Sequence, residues 1–477
     1  MEQQLGEDRI KKSLGASVRD GVLFSIMTGL GDAYMPALLL FWGATDAAVG
    51  LLTSLSYALA ALAQLFISRG METWKNRKKF VVGGVVFHAF FWLAQIALIF
   101  SPLDNALKIP LSIGIFALYF GLNAFIAPAW SGWMADLVPE NMRGGYFGHR
   151  NEMTGLALFL ATLAGGYIMG WFGSEVLLGF AALFLIAFAC RIGSAYYLSR
   201  MAEPSGGAGE FRKVGWRALL LGEGWGNSRL FILGIALILF TRYVAAPFYN
   251  VFMLRNLGFT YAEFGIITAM SLFAKIFSYP YWGKLADRFG NRAVLVSTGV
   301  LVCILPLPWV FASNFNILFF TQLISGFAWA GFELVSFNHI LVLAPRDYRV
   351  SLVSRYNFFT NIAIVLGATF GAFLLSGVLP EVWMGLVALQ LLFLISSILR
   401  MLVALLILPR VHEQRAAYPY SDMGFFLDAS IVYPAQSMAR QVARGIKFAS
   451  GVKAPLRGAK RAALDAFEKG RKKMRGR

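Results

Sequence analysis

Charge is scarce in this sequence. Asp, Glu, Lys and Arg together supply 14% of its 477 residues, against roughly 25% in a water-soluble domain. A chain so thinly charged is not an ordinary soluble globule. Cysteine is scarcer still. Cys190 and Cys303 both fall inside apolar runs, and no disulfide framework follows from them. No Cys/His cluster has the spacing of a metal site, so no metal is expected. No P-loop or other nucleotide signature appears, which argues against an ATP-driven pump and leaves no cofactor to expect. A membrane-embedded enzyme would need a clustered catalytic set, and none is visible, so the chain is not expected to be an enzyme. The short alternating segments of a membrane β-barrel are missing too. No cleavable signal is seen, because Glu2 to Asp20 is polar and the first apolar run is long enough to span.

What the sequence has is apolar length. Apolar residues make 58%, aromatics 15%, and glycine reaches 48 positions; the mean hydropathy is +0.63. Continuous runs of about 20 apolar residues recur, the length of helix that crosses a bilayer. The fold class is therefore an all-α polytopic membrane protein with twelve transmembrane helices. Six spans are expected near 18–42, 46–69, 79–101, 107–135, 152–173 and 175–199. Six more are expected near 229–256, 260–285, 292–313, 316–344, 352–378 and 382–409. The chain then divides into an N-terminal segment 1–17, a bundle 18–199, a linker 200–228, a second bundle 229–409 and a tail 410–477. The linker holds Glu203-Pro204-Ser205-Gly206-Gly207-Ala208-Gly209-Glu210, a flexible composition.

The net charge of +18 does not point to nucleic acid, because the positive residues follow the loops. Arg9, Lys11, Lys12 and Arg19 precede or open the first run. Alternate loops carry Lys75, Arg77, Lys78 and Lys79, then Arg143 and Arg150, then Arg200, Arg212, Lys213 and Arg217. The series continues with Lys284, Arg288 and Arg292, then Arg346, Arg349 and Arg355, while the opposite loops offer only Lys108 and Arg255. The positive-inside rule puts both termini in the cytoplasm, as an even number of spans requires. The expected location is a prokaryotic plasma (inner) membrane.

One stretch organises the rest: Gly283-Lys284-Leu285-Ala286-Asp287-Arg288-Phe289-Gly290-Asn291-Arg292. It reads as a brief charged loop between two long runs, a connection that sets its flanking helices antiparallel. Its counterparts elsewhere indicate a duplication. Gly43-Ala44-Thr45-Asp46 through Gly50 parallels Gly258-Phe259-Thr260-Tyr261 through Gly265, at an offset of 215 residues (258 − 43). Glu72, Asn76 and Arg77 fall on Asp287, Asn291 and Arg292 at the same offset, and Pro139 and Arg143 parallel Pro345 and Arg349.

The stretch resembles the cytoplasmic loop signature of the major facilitator superfamily, G-x-L-A-D-R-x-G-x-R/K. Gly283, Leu285, Ala286, Asp287, Arg288, Gly290 and Arg292 match it. With the twelve runs, the linker and the repeat, the resemblance covers residues 18–409. It implies two pseudo-symmetric six-helix bundles around a central cavity, lined chiefly by spans 1, 4, 7 and 10, that rock to give alternating access. It also implies a gating role for Gly283, Asp287, Arg288, Gly290 and Arg292. In the family the acid holds the cytoplasmic face shut against arginines and the N-terminus of span 11, where a helix favours a carboxylate. The first-half copy departs from the pattern at Ser68, Glu72 and Lys75. The Gly-Pro pair of the drug/proton antiporters is missing from span 5, which runs from Thr154-Gly155 through Gly165-Gly166 without proline.

Four ionisable residues fall near mid-depth: Asp32, Arg242, Lys275 and Glu333. Each costs about 2.5–3.5 kcal/mol there on insertion scales, so such residues face a cavity or pair with one another. Either they serve substrate and proton, or they are structural ion pairs between helices. Asp32 leads, because Gly29, Gly31 and Pro36 loosen its helix, and broken helices near the midplane are where transporters build sites. Asn123, Asn338 and His339 are weaker candidates, asparagine being as often helix-to-helix glue. His88 has no visible partner and reads as a core residue. Arg191 and Arg400 read as snorkelling to lipid phosphates.

The polar tail carries 15 Lys and Arg against five acids from Arg410 to Arg477. It is either drawn to anionic lipid or a disordered solubilising segment. The function expected is secondary active transport of a small organic solute by alternating access, with protons as the coupling ion. The alternative is a scaffold or sensor that uses the same fold without transporting and binds a partner or lipid through the tail.

Overall fold

The computed structural model describes residues 2–70, 77–139, 142–203, 219, 221–222, 225–343, 348–407 and 410. Most of the linker, the tail beyond Arg410, and Glu72, Lys75 and Asn76 lie outside the described residues. Among the described residues, twelve helices are long and apolar enough to cross a membrane. Spans 1 to 6 are Arg9–Phe41, Asp46–Gln64, Arg77–Phe100, Asn105–Met134, Gly145–Phe172 and Val176–Arg200. Spans 7 to 12 are Gly226–Asn256, Tyr261–Phe289, Asn291–Val310, Phe315–Ile340, Ser351–Val378 and Ala388–Ile407. A helix satisfies its own backbone hydrogen bonds, which is why apolar runs of this length take that form in lipid.

The duplication is visible in the packing. In the first half span 1 packs on spans 5 and 6, span 3 on spans 4 and 6, and span 2 on span 4. The same pairings recur six spans later: 7 on 11 and 12, 9 on 10 and 12, 8 on 10. Across the halves span 2 packs on span 11 and span 5 on span 8, which are one contact repeated by the pseudo-twofold relation.

Spans 1 and 7 are interrupted at related places. The first helix runs Glu2–Leu30, gives way to a 3-10 turn Asp32–Tyr34, and resumes as Met35–Phe41 with Pro36 in its first turn. Span 7 runs Gly226–Ala245, stops before Pro247, and continues as Phe248–Val251 and a wide turn Phe252–Asn256. Proline supplies no N–H and cannot continue the ladder, so each helix breaks just ahead of it. The breaks put Asp32 on one and Arg242 beside the other.

Two boundaries differ from expectation. The stretch 283–292 is not a loop of several residues. Residues 283–289 are the last turns of span 8, Gly290 alone breaks the chain at φ 89°, and the next helix starts at Asn291. Lys, Leu, Ala and Arg are good helix formers, and only glycine takes that φ without cost. Span 12 begins at Ala388, not 382. Before it β1 (Val382–Trp383) pairs antiparallel with β2 (Leu386–Val387), joined by Met384 and Gly385 at φ 51° and 80°, the positive angles a two-residue hairpin turn needs.

Among the described residues, the main buried cluster crosses between the halves at one end. Trp42, Phe180, Phe248, Phe252, Phe264 and Trp309 belong to it, near the loops that join odd-numbered spans to the next. We call this the far end, and the opposite one, which holds the starts of spans 1 and 3 and the ends of spans 4 and 6, the basic end. The cluster at the basic end, with Leu14, Val81, Trp133, Met134 and Leu198, belongs to the first half alone. Arg255 reaches across the far end to Asp46 and to the Ala44 carbonyl. Spans 5 and 8 touch there through glycines: a Cβ on Gly166 would meet the Tyr261 carbonyl oxygen at 2.8 Å and Gly265 Cα at 3.2 Å.

Candidate functional site

A cavity of about 450 Å³ lies between the halves at the level of the two helix breaks. Thr28, Asp32, Leu158 and Thr162 line it from the first half. Arg242, Tyr249, Thr268, Ser271, Lys275, Trp309, Gln322, Ser325, Trp329 and Arg400 are among the residues that line it from the second. The volume lies in the range of small-molecule sites, roughly 300–1,000 Å³. Of the six substrate and proton candidates, Asp32, Arg242 and Lys275 line the cavity. Glu333 is bonded to two of them, and Asn123 and Asn338 stand off it.

The charged side chains at and behind the cavity walls sort into two clusters, one in each half. In the first, Tyr119 donates its hydroxyl to Asp32 Oδ1 at 2.6 Å. The Tyr119 ring stacks on His88, centroids 4.0 Å apart. His88 Nδ1 accepts from Arg191 Nε at 3.0 Å, and Arg191 also donates to Ser194 Oγ at 3.4 Å and Asn123 Oδ1 at 3.5 Å. Ser194 donates in turn to Asp20 Oδ1 at 2.7 Å, and Arg150 stands 3.7 Å from Asp20 Oδ2. A continuous set of polar side chains thus runs from the cavity wall through spans 1, 3, 4 and 6.

In the second half Glu333 is the hub. Lys275 Nζ lies 2.8 Å from each carboxylate oxygen, Arg242 Nη1 3.4 Å from Oε1, and the Tyr279 hydroxyl 3.3 Å from Oε2. The Arg242 guanidinium also lies over the Trp329 ring, 3.7 Å from its centroid, a face-on cation–π contact. Arg400 donates to the Val302 and Arg242 carbonyls, each at 3.3 Å. So Arg242 pairs with Glu333 and not with Asp32, and the four charges do not neutralise one another across the cavity.

Three residues differ from their sequence reading. Arg191 and Arg400 do not snorkel; they are 4% and 2% exposed and point into their own bundles. They stand 209 residues apart (400 − 191), close to the repeat offset, and each bonds to neighbouring helices of its own half. His88 is buried, as its core reading expects, and differs only in having a partner, Arg191. Two further residues, Asp20 and Tyr119, give no signal in the sequence. Asp20 reads there as the end of the polar lead, yet it is buried in span 1. Tyr119 is an ordinary aromatic in the sequence, and its role depends on a partner 87 positions away.

Of the gating candidates, Asp287 and Arg288 are exposed at the end of span 8, Gly283 and Arg292 are half-buried, and Gly290 is buried. Arg288 lies 5.0 Å from the Phe289 ring centroid. Among the described residues no ion pair of Asp287 is found. Asn338 is half-buried and His339 buried on span 10.

Repeated halves, broken spans 1 and 7, and a charged cavity between the bundles define an integral, multi-pass membrane protein of a recognisable class. The chain belongs to the Major Facilitator Superfamily, whose profile matches residues 21–239 and again 231–442. The quinolone resistance protein NorA of Staphylococcus aureus is 23% identical over 149 residues, 31% of this chain and 36% of NorA. The chain thus spans little more than a third of the curated relatives it matches. Among solved structures, a point mutant of the nucleoside transporter NupG superposes with a TM-score of 0.64 at 12% identity, covering 83% of this chain and 100% of that one. A D-xylose-proton symporter gives 0.64 at 13% identity, covering 84% and 97%. A bacterial homologue of the iron transporter ferroportin, in an inward-facing state, gives 0.62 at 14%, covering 84% and 98%. At these identities the likeness is one of fold.

Proposed function

We propose that this protein is a secondary active transporter, moving a small organic solute across a bacterial inner membrane by alternating access with proton coupling at Asp32. The observation that carries this is the cavity itself: a space of small-molecule size between two bundles, with ionisable groups on both walls where spans 1 and 7 break. Charges at this depth are expensive, and a scaffold has no use for them. Asp32 has the features a coupling group needs. It lines the cavity, Tyr119 donates to its carboxylate, and it forms no ion pair with the cations of the opposite wall. A site whose affinity differs between two states is what coupling requires.

The basic end is the cytoplasmic one in this reading, with both termini there, and the far end is the closed side. Asp287 at the basic end is then the latch of the other state, held when the bundles rock. The tail beyond Arg410 is proposed to rest on anionic lipid. The test is solute uptake and efflux in proteoliposomes over a metabolite panel, with and without a pH gradient. A solute that accumulates with the gradient supports the whole proposal. Downhill flux that ignores the gradient removes the proton. No flux of any solute by folded protein favours the scaffold or sensor.

A further inference from the structure

The charge on the cavity's second-half wall is not balanced. Among the described residues, Arg242, Lys275 and Arg400 stand there against the single carboxylate Glu333. Three cations and one anion leave two positive charges in excess. The first half offers the cavity only Asp32, on the opposite wall, so an excess remains even with Asp32 charged. Asp20 is matched by Arg150 and is linked through Ser194 to Arg191, and Asp32 forms no ion pair with Arg242, Lys275 or Arg400. Arg400 is the most telling of the three. It is 2% exposed, it donates to the Val302 and Arg242 carbonyls, and its Nε has no hydrogen-bond partner. A buried cation without its counter-charge is strongly destabilising, and a protein keeps one where something else supplies the charge.

We infer that the transported solute is an organic anion whose acidic group is held by Lys275 and Arg242, with the buried charge of Arg400 behind them. This rests on the transport reading and specifies the substrate class. The geometry supports a carboxylate or phosphate-like head. Lys275 already chelates one carboxylate with both oxygens at 2.8 Å, and Arg242 holds the same group more loosely at 3.4 Å, so its guanidinium has donors to offer a second. The body of the solute meets Trp309, Trp329 and Tyr249 on the same wall, which favours an apolar or planar frame over a sugar-like one. Asp32 faces the anion from the opposite wall, and like charges repel, so the anion is accepted best when Asp32 carries a proton. Anion and proton then travel together.

The test uses the purified full chain in nanodiscs and reads binding, not flux. Thermal stabilisation is measured with benzoate, succinate and inorganic phosphate, against neutral benzamide and cationic benzylamine at equal ionic strength. Benzoate should stabilise, and benzamide and benzylamine should not. Lys275→Met should weaken benzoate by about tenfold or more, the order expected when one charge-assisted contact is lost. Glu333→Gln should strengthen it, because it removes the competing carboxylate; a merely structural Glu333 gives no gain. Should either variant fail to fold, the wild-type ranking of benzoate over its neutral and cationic analogues decides alone. Stabilisation by benzylamine or benzamide instead, or by no anion of the panel, overturns the inference. Anion binding without flux in proteoliposomes would leave the anion site standing and sink transport. Flux of a cation without anion binding would do the reverse.

Discussion

Tyr119 on span 4 donates its hydroxyl to Asp32 on span 1 at 2.6 Å, and this bond joins the cavity to the polar interior of the first bundle. Behind Tyr119 stand His88, Arg191, Ser194 and Asp20, each touching the next. Asp32 is therefore held by its own half and is free of the cations across the cavity. On the proposed transport reading, that separation leaves the carboxylate able to respond to solute and to conformation without being locked in a salt bridge.

The two partners should behave differently when removed. Asp32→Asn keeps the shape and abolishes titration, so gradient-driven accumulation should vanish while exchange or downhill flux survives in part. Tyr119→Phe removes one hydrogen bond to a carboxylate and should lower stability by about 1.5–3 kcal/mol, with accumulation retained. Flux under an imposed pH gradient and thermal unfolding of each variant are the measurements. A well-folded Asp32→Asn protein that still accumulates solute would move the coupling role to Glu333.

Glu333 is expected to be the more fragile position. Its removal leaves half-buried Lys275 and Arg242 and buried Arg400 with no acid among them, a loss smaller than the roughly 3–5 kcal/mol of a fully buried pair broken on one side, because the open cavity screens part of it. Glu333→Gln should therefore unfold at clearly lower temperature than wild type in anion-free buffer. Adding Lys275→Met should restore part of the loss, because the excess charge falls by one. An additive double variant, with no recovery, would mean that the pair is not coupled.

Much of this was legible in the sequence, and the pattern of misses is physical. Twelve spans, the duplication and the family follow from run length and from Gly283 to Arg292, because lipid leaves the backbone few options. Asp32, Arg242, Lys275 and Glu333 stand out because charge inside an apolar run is rare. Their pairing is not legible. Which base Glu333 holds depends on how spans 7, 8 and 10 rotate, and packing sets that. Arg191 and Arg400 read as lipid-facing because they sit toward span ends. Depth along a helix is readable from sequence, but the direction a side chain faces is not. Hydropathy starts span 12 too early because Val382-Trp383 is apolar, and the two positive φ angles after it are a local event that hydropathy does not register.

Orientation is open to a direct check. Reporter fusions at Arg477 and in the loop at Asn314 should report opposite sides of the membrane, with the Arg477 fusion cytoplasmic, as the Lys and Arg distribution requires. The same side for both would overturn the topology. Truncation after Arg410 should leave the twelve spans folded, since they bury one another, and should reduce binding to vesicles that contain anionic lipid. Equal binding at low salt would remove the lipid role from the tail.

The closures at the two ends should respond in opposite senses. At the far end Arg255 bonds to Asp46 and the Ala44 carbonyl, and Gly166 lies against Tyr261 and Gly265. These contacts join spans 1 and 2 to 7 and span 5 to 8, so they exist only while this end is shut. Gly166→Val puts a branched side chain where even a Cβ is 2.8 Å from the Tyr261 oxygen. It should pry the halves apart there and shift the population toward the other state. Asp46→Asn should act the same way more weakly, since a partly exposed ion pair contributes about 0.2–1 kcal/mol. Asp287 has no ion pair among the described residues in this state, so Asp287→Asn should not loosen the far end. If it is the latch of the other state, its loss should deepen far-end closure. The readout is a thiol placed in the cavity, Thr268→Cys, on a background in which Cys190 and Cys303 are replaced by alanine, labelled by an impermeant reagent from each side. Gly166→Val should speed labelling from the far side, and Asp287→Asn should speed it from the basic side. Equal rates from both sides in all variants would mean that neither contact gates the cavity, and the alternating-access reading of these residues would be lost.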